Sequence, residues 1–273
     1  MHTDGVNILV TNDDGPESPF VAPLVRAAAS LGAVTVVLPA SERSWTAKAM
    51  TRYADLPLVR HDHRDRAGHA VTGFTLGGTP ADCVNAGCHL LGPRTPDLVL
   101  SGVNAGENTG VSYAASSGTI GACLEANIAL IPAVALSQQL TPAGFGRWAA
   151  RAPADPGTEL GDAVARLDDL LPTLLADLMA QVRPPGERRT ERPVTWSVNV
   201  PARLAADWRL VPCALERARY GSCFERHGDV LRHVGAAAIR DPAEGTDIDV
   251  LARGSVSLTC IDPWAMGQAT PVV

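Results

Sequence analysis

Residues 7–15 read Asn7-Ile8-Leu9-Val10-Thr11-Asn12-Asp13-Asp14-Gly15. The apolar and β-branched run predicts a short buried strand over residues 7–11. Two carboxylates and a glycine follow directly, and glycine permits a sharp turn. In open α/β sheets, ligands bind beyond the carboxyl ends of the strands, and carboxylate oxygens suit Mg²⁺, Mn²⁺ or Ca²⁺. The stretch therefore predicts a hard-metal site at a sheet edge, although an ordinary turn before a helix also fits the pair.

Around this stretch, strand and helix patterns alternate through the first half of the chain. Strands are predicted at residues 7–11, 33–38, 71–76, 97–101 and 133–137. Helices are predicted at residues 21–31, 80–91 with Thr79 as N-cap, and 118–130. Strands separated by helices pair in parallel through right-handed crossovers. This half therefore predicts an α/β fold with a mostly parallel sheet flanked by helices.

The composition changes after residue 140. Residues 141–158 are rich in Ala, Pro and Gly and predict a loop, whereas residues 159–182 predict a helix kinked at Pro172. Beyond them the sequence predicts a linker at 183–193, a strand at 194–200, and β-like segments at 207–215 and 247–261. We expect a single domain over 1–273, with a core at about 6–140, a helical insert and linker at about 141–193 and a β-rich extension at about 194–262.

The bulk composition excludes several classes of protein. A formal net charge of −6 over 273 residues argues against a surface dedicated to nucleic acid. No apolar run is long enough to span a bilayer, so no membrane partner is expected. No leader pattern is recognised, and the cytoplasm is the expected compartment. The six cysteines form no C-x-x-C pair and show no zinc spacing.

Three further polar segments are expected at the same sheet edge as Asp13 and Asp14. Residues 41–44 follow the second strand, and residues 101–110 hold three glycines and two asparagines after a buried strand. Asn oxygens can ligate a hard cation, and glycines expose N–H groups to an anion. Residues 116–119 open a helix, whose N-terminus is an anion site. Each segment alone also fits a plain loop or N-cap. The chain lacks G-x-G-x-x-G, which disfavours a nicotinamide-dependent oxidoreductase.

Together these segments resemble the survival protein SurE family of metal-dependent 5′/3′-nucleotidases. The matching stretches are residues 8–15, 43–44, 78–84, 96–108, 117–119, 245–247 and 254–259. The resemblance implies a Rossmann-like α/β domain whose C-terminal β extension is used in oligomerisation, giving a homodimer or homotetramer. It also implies hydrolysis of phosphate monoesters, typically nucleoside monophosphates, with Mg²⁺ or Mn²⁺.

The resemblance also assigns residues by motif match. One divalent cation per subunit would be held by Asp13, Asp14, Ser44 and Asn104. The substrate phosphate would lie near Asn12, Asn108, Ser117, Gly118 and Thr119. Asp13 and Asp14 would be the catalytic carboxylates, and either one fits the part of general base. Trp45 stands where the family usually has Gly. Its ring would either stack on a base or pack against a neighbouring loop.

The chain departs from the family pattern at places that spare the metal ligands. Besides Trp45, these are Ser116 in place of a usual Tyr, and Ile248 and Asp249 where a His or aromatic residue is frequent. They leave three functions open. The first is nucleoside monophosphate hydrolysis, the second a phosphatase of a specialised, nucleotide-like biosynthetic intermediate, and the third a non-catalytic nucleotide- or metal-binding protein. A turnover assay separates the third from the others.

Overall fold

The computed structural model describes residues 6–182, 192–234, 238–239 and 243–266. Its strands, in chain order, are β1 (Val6–Thr11), β2 (Gly32–Pro39), β3 (Leu58–Arg60), β4 (His63–Arg64), β5 (Ala70–Val71), β6 (Gly73–Leu76), β7 (Leu98–Ala105), β8 (Ala133–Gln138), β9 (Thr195–Val200), β10 (Leu210–Pro212), β11 (Arg219–Tyr220), β12 (Phe224–His227), β13 (Val230–His233), β14 (Ala238–Ile239) and β15 (Val256–Ile261). Its α-helices are α1 (Val21–Ala29), α2 (Pro80–Ala86), α3 (Gly110–Ser116), α4 (Gly118–Ile128), α5 (Pro142–Ala149), α6 (Glu159–Val182) and α7 (Asp247–Ala252).

One sheet organises the chain, with strand order β10-β15-β9-β8-β7-β1-β2-β6-β3. Strand β1 lies at its centre, parallel to β2 on one side and to β7 on the other. Strands β8 and β9 continue the parallel pairing, whereas β15 and β3 run antiparallel to their neighbours β9 and β6. The predicted α/β fold with a mostly parallel sheet is confirmed.

The central strands are buried on both faces because helices cover both sides of the sheet. Ile8 and Val10 of β1 join a core with residues of α1 and α6, whereas Leu9 joins a second core with residues of α2 and α4. This division follows from the pleat, which sends successive side chains to opposite faces. Each fully buried Leu or Ile contributes about 1.5–3 kcal/mol. The continuous apolar run that predicted β1 is therefore the signature of a strand between two helical layers.

Strand β7 extends four residues beyond the predicted boundary, so Asn104 lies on the strand and not in the following loop. The register between β7 and β8 shifts between Ser101 and Asn104. Gly102 has a φ of +136°, and a Cβ there would lie 2.3 Å from the carbonyl oxygen of Leu136. Only glycine fits at this contact. The glycine that suggested a loop therefore allows an irregular strand to stay paired.

Several predictions about the second half of the chain are wrong. Residues 141–158 contain helix α5, capped by the Thr141 side chain, which accepts the N–H of Gly144 at 3.1 Å. The segment predicted as β-like from residue 247 begins with helix α7, and the hairpin of β12 and β13 was not predicted. Helix α6 contains Pro172 within its length, and the kink expected there stays a prediction.

Strands of the predicted C-terminal extension continue the main sheet, because β9 pairs with β8 in parallel and β15 then pairs with β9. The predicted linker at 183–193 lies almost wholly outside the described residues, and the division into core, insert and extension stays a prediction. Within the residues that the structure describes, no helix is long and apolar enough to cross a bilayer.

Candidate active site

Asp13 and Asp14 lie just beyond the carboxyl end of β1, and both side chains are only 2% exposed. The Asp13 carboxylate accepts two hydrogen bonds from Thr119, from the hydroxyl at 2.7 Å and from the backbone N–H at 3.1 Å. One oxygen of Asp14 accepts the N–H of Ala105 at the end of β7, at 3.0 Å. Neighbouring elements therefore hold the two carboxylates from opposite sides.

The electrostatics of this pair favour a bound cation. Burial raises the pKa of Asp13 to about 6, although the hydrogen bonds from Thr119 act in the opposite direction. Burial, and next the charge of Asp13, hold the pKa of Asp14 well above its usual range. Asp14 Oδ1 is buried and has no hydrogen-bond partner among the described residues. Two buried carboxylates with an unpartnered oxygen are costly unless a positive charge joins them, so the pair fits a hard divalent cation.

Ser44 and Asn104 offer two neutral oxygens to the same place. The Ser44 hydroxyl donates to Glu42 at 2.9 Å, and Glu42 also accepts the guanidinium of Arg151 at 2.6 Å. The Asn104 amide N–H donates to the carbonyl of Gly106 at 2.7 Å. The Ser44 proton and one amide proton of Asn104 are thus directed to protein, and the Ser44 and Asn104 oxygens can act as acceptors. Two carboxylates with a hydroxyl and an amide oxygen form a donor set suited to Mg²⁺ or Mn²⁺.

These residues meet in one cavity of about 580 Å³. Its lining residues include Asp13, Glu42, Ser44, Trp45, Asn104, Glu107, Asn108, Tyr113, Ser116, Ser117, Leu140, Pro142, Phe145, Trp148 and His233. Three of the four predicted metal ligands line the cavity directly, and Asp14 lies beside Asp13 in the chain. No Lys or Arg belongs to the described lining, whereas three carboxylates do. An anionic ligand would therefore need a cation to offset the negative charge of these walls.

Two of the residues predicted to lie near a phosphate line this cavity. Asn108 is held by its backbone N–H, which donates to Asn199 Oδ1 at 2.8 Å, and by its amide group, which donates to the Ser137 hydroxyl at 3.0 Å. Ser117 caps helix α4 by accepting the N–H of Ile120 at 3.1 Å. Both are therefore held at fixed positions on the wall of the cavity.

The other three residues predicted to lie near a phosphate also hold the Asp pair in place. The Asn12 amide donates to the carbonyl of Gly15 at 2.9 Å and accepts its N–H at 3.2 Å, which closes the turn that carries Asp13 and Asp14. A Cβ at Gly118 would lie 2.9 Å from Asp13 Oδ2, so glycine allows this carboxylate to approach helix α4. The N–H of Thr119 donates to Asp13, and the placement of Thr119 near a phosphate stays a prediction.

An aromatic cluster at the cavity was not predicted. The Trp45 ring is 45% exposed, and its centroid lies 5.9 Å from that of Tyr113, 5.4 Å from Tyr220 and 6.1 Å from His233. Tyr113 and His233 also line the cavity. These rings come from a loop, α3, β11 and β13, so no local pattern in the sequence joins them.

Asp247 is a second residue whose place the sequence did not show. Its buried carboxylate accepts the backbone N–H groups of Gly110 at 2.7 Å, Glu216 at 2.9 Å and Ile248 at 3.0 Å. It thereby joins the C-terminal part of the chain to the segment between Asn108 and α3. The signals in the sequence are the match of residues 245–247 to the family pattern and a Thr-Asp pair before an apolar run, which is typical of a helix start.

Comparison with known proteins agrees with this geometry. The model of the family described as survival protein SurE matches residues 8–222. The chain is 34% identical to a 5′-nucleotidase SurE of Methanopyrus kandleri over 256 residues, which cover 93% of this chain and 90% of that protein. It is 34% identical to a 5′-nucleotidase SurE of Citrifermentans bemidjiense over 263 residues, covering 93% and 92%. The crystal structure of the SurE protein from Aquifex aeolicus matches with a TM-score of 0.66 and 25% identity over 94% of this chain and 93% of that one. The chain belongs to the SurE family.

Proposed function

We propose that this protein is a divalent-metal-dependent phosphomonoesterase that hydrolyses nucleoside monophosphates to nucleoside and phosphate. The observation that carries the proposal is the buried Asp13–Asp14 pair, with one unpartnered carboxylate oxygen, at a cavity whose described lining has no Lys or Arg. Such a cavity accepts a phosphate ester only together with a cation. The two relatives compared above are both named 5′-nucleotidases, which supports the nucleotide as substrate.

The cation site we propose consists of Asp13, Asp14, Ser44 and Asn104, with one Mg²⁺ or Mn²⁺ per subunit. When bound there, the cation offsets charge on a phosphate oxygen and lowers the pKa of a coordinated water. Glu42 orients the Ser44 hydroxyl, and Thr119 fixes the Asp13 carboxylate. The ligand oxygens are thus held by other residues before any substrate arrives, as a precise site requires.

Hydrolysis forms a bond between a water oxygen and phosphorus and breaks the bond from phosphorus to the ester oxygen. Asp13 lines the cavity and Asp14 does not, so we propose that Asp13 holds the attacking water and accepts its proton. The departing ester oxygen takes a proton from solvent.

Asn108 and Ser117 lie on the same wall, where they bind phosphate oxygens. The exposed ring of Trp45, beside Tyr113, provides a flat surface on which the base stacks.

Assembly and compartment stay at the level of proposals as well. We propose a homodimer or homotetramer, because the hairpin of β12 and β13 exposes Phe224, Val230 and Leu231 to solvent. A group of exposed apolar side chains of this kind marks an interaction surface. The cytoplasm stays the expected compartment.

The test is release of phosphate from 5′- and 3′-nucleoside monophosphates and from p-nitrophenyl phosphate, with Mg²⁺, with Mn²⁺ and with EDTA. We expect turnover only with metal and loss of turnover in Asp13→Asn. Asp177→Asn is the matched control, because Asp177 lies on α6 and is exposed. Full activity in EDTA or in Asp13→Asn would contradict the proposal. Metal-dependent binding of nucleotide without turnover would establish a non-catalytic binding protein in its place.

A further inference from the structure

The cavity has a second wall, whose residues have no role in the binding of phosphate and base under the proposed function. Leu140, Pro142, Phe145 and Trp148, which come from α5 and the residue pair before it, line the cavity with apolar atoms. The Phe145 and Trp148 rings lie 5.3 Å apart, and Phe145 is 46% exposed. An exposed aromatic side chain at a cavity is available for contact with whatever enters.

The two aromatic walls belong to opposite faces of the sheet. Helix α5 packs on α6, which packs on α1 over one face. The loop of Trp45 packs against α3 and α4 over the other face, where the N–H of Ala47 donates to the carbonyl of Ser116 at 3.0 Å. Between the two faces lie the carboxyl ends of β1 and β7, with Asp13 and Asn104. The phosphate end of the site is therefore flanked by an aromatic surface on each side.

The second wall is held in place by contacts with the metal-ligand loop. The Arg151 guanidinium lies 6.0 Å from the Trp148 ring centroid and donates to Glu42 at 2.6 Å. Trp148 itself is half-buried against the core of α1 and α6. The wall is consequently preformed. When a ligand group covers it, the protein loses little conformational entropy.

We propose that this wall binds an apolar arm of the leaving group. The preferred substrate class is then a nucleoside monophosphate whose nucleoside carries an added aromatic or apolar substituent, with its base on Trp45 and its substituent on Phe145 and Trp148. The reason is chemical complementarity, since the ribose hydroxyls and the phosphate of a simple nucleotide gain nothing from a wall of Leu, Pro, Phe and Trp, whereas an aromatic ring does. The inference rests on the proposed function for the chemistry at the phosphate end.

The experiment compares adenosine 5′-monophosphate with two derivatives that carry an aromatic ring at different places, N6-benzyl-AMP and 2′/3′-O-(N-methylanthraniloyl)-AMP. With Mn²⁺ or Mg²⁺, we expect kcat/KM for at least one derivative to exceed that for AMP by about tenfold, the effect of a few extra apolar groups in a fitting pocket. In Phe145→Ala this preference should fall by about tenfold. The measured quantity is the ratio of kcat/KM for the derivative to kcat/KM for AMP in the same protein. A loss of activity that affects both substrates equally does not change this ratio.

Leu58→Ala is the matched control, because Leu58 is also 46% exposed but lies on β3 at the far edge of the sheet. Its preference ratio should equal that of the wild type. Equal kcat/KM for all three esters, or a ratio unchanged by Phe145→Ala, would overturn the inference while leaving the phosphatase intact.

A binding measurement keeps the two proposals distinguishable. Fluorescence of the methylanthraniloyl nucleotide reports its affinity for the metal-loaded protein whether or not it is hydrolysed. If no ester is turned over, the proposed function fails, yet tenfold weaker fluorescent binding in Phe145→Ala would still support the wall. Equal binding by the variant and the wild type would overturn the wall even then.

Discussion

At the scale of single residues, the main electrostatic feature is the raised pKa of the two buried carboxyl groups of Asp13 and Asp14. The folded pKa of Asp13 is about 6, against 3.8 for an ordinary Asp. Between these values the folded state holds more protons than the unfolded state, so the contribution of this pair to the free energy of unfolding falls as the pH rises. A cation takes the place of the proton at higher pH and should reverse this loss.

We therefore expect the difference in unfolding free energy between metal-free wild type and Asp13→Asn to fall as the pH rises from about 4 to about 6. For the wild type, Mn²⁺ should raise the melting temperature more at about pH 7.5 than at about pH 5, because the carboxylates are then deprotonated. Calorimetry with EDTA or Mn²⁺ at both pH values checks this. A metal-induced shift that is independent of pH would contradict it.

Thr119 has a positioning role that can be separated from general packing. It is fully buried, and its hydroxyl lies 2.7 Å from Asp13 Oδ1. Thr119→Val keeps the shape but removes a bond to a charged group, which costs about 1.5–3 kcal/mol. We expect kcat to fall at least about tenfold, since a misplaced reacting group loses about that much or more. Thr119→Ser, which keeps the hydroxyl, is the control, and wild-type kcat in Thr119→Val would refute the role.

The sequence predicted the residues at strand ends better than the residues that support them. Asp13 and Asn104 were placed at one edge because parallel strands bring their carboxyl ends together. The hydrogen bonds by which Asn12 and Thr119 hold the Asp turn were not predicted, since a polar side chain near a site binds a ligand or a neighbouring residue with the same local pattern. The Trp45 cluster depends on contacts between distant segments, which no spacing reveals.

At the scale of elements, the close contact between α4 and the loop of Trp45 governs one wall of the cavity. A Cβ at Gly121 would lie 2.0 Å from the carbonyl oxygen of Ala47. Gly121→Ala must therefore push this loop away from α4, although alanine is the better helix former. We expect a loss of stability of about 1–3 kcal/mol, typical of an overpacked contact, together with a raised KM. Urea unfolding and phosphate-release kinetics measure both.

Gly146→Ala is the matched control for that substitution. Gly146 lies within helix α5, and a Cβ there would meet no atom within 4 Å. Alanine should raise the free energy of unfolding by about 0.4–1 kcal/mol, because it lowers the entropy of the unfolded chain. Equal effects of the two substitutions would show that the contact between α4 and the loop has no energetic importance.

A helix start signal led to a correct prediction only where the composition of the segment also favoured a helix. Thr79 caps α2 in a capping box with Asp82, as the Thr-Pro start indicated. Helix α5 starts with the same Thr-Pro signal but is short and contains two glycines, so composition favoured a loop. The segment of α7 has β-branched and apolar residues at positions that fit a strand equally well, and tertiary packing decides between the two.

At the scale of the whole molecule, Asp247 joins the C-terminal part of the chain to the active-site segment. Asp247→Ala leaves the buried N–H groups of Gly110, Glu216 and Ile248 without this acceptor. Each unsatisfied buried group costs about 1–3 kcal/mol, so we expect a loss of roughly 3 kcal/mol or more in unfolding free energy. Asp247→Asn, which retains one acceptor oxygen, should lose less. Urea unfolding of both variants measures this, and an equal loss would contradict the assignment.

The sheet order explains why the α/β fold class was predictable and its full extent was not. Alternating strands and helices specify the parallel centre around β1, since the connections leave few other topologies. The addition of β9, β15 and β10 beyond β8 requires pairing between residues more than forty positions apart in the sequence, which a local pattern does not predict. The sequence therefore predicted a β-rich extension but not that its strands continue the main sheet.

Phosphate release from AMP by EDTA-treated protein, titrated with Mn²⁺, tests the central claim most directly. The wild type should show no turnover without metal and saturable recovery as Mn²⁺ is added. Asp14→Asn alters the carboxylate whose Oδ1 has no partner among the described residues, so it should require at least about tenfold more Mn²⁺ for half-maximal recovery. Turnover that persists in EDTA, or an Asp14→Asn titration identical to that of the wild type, would contradict a metal centre on this pair.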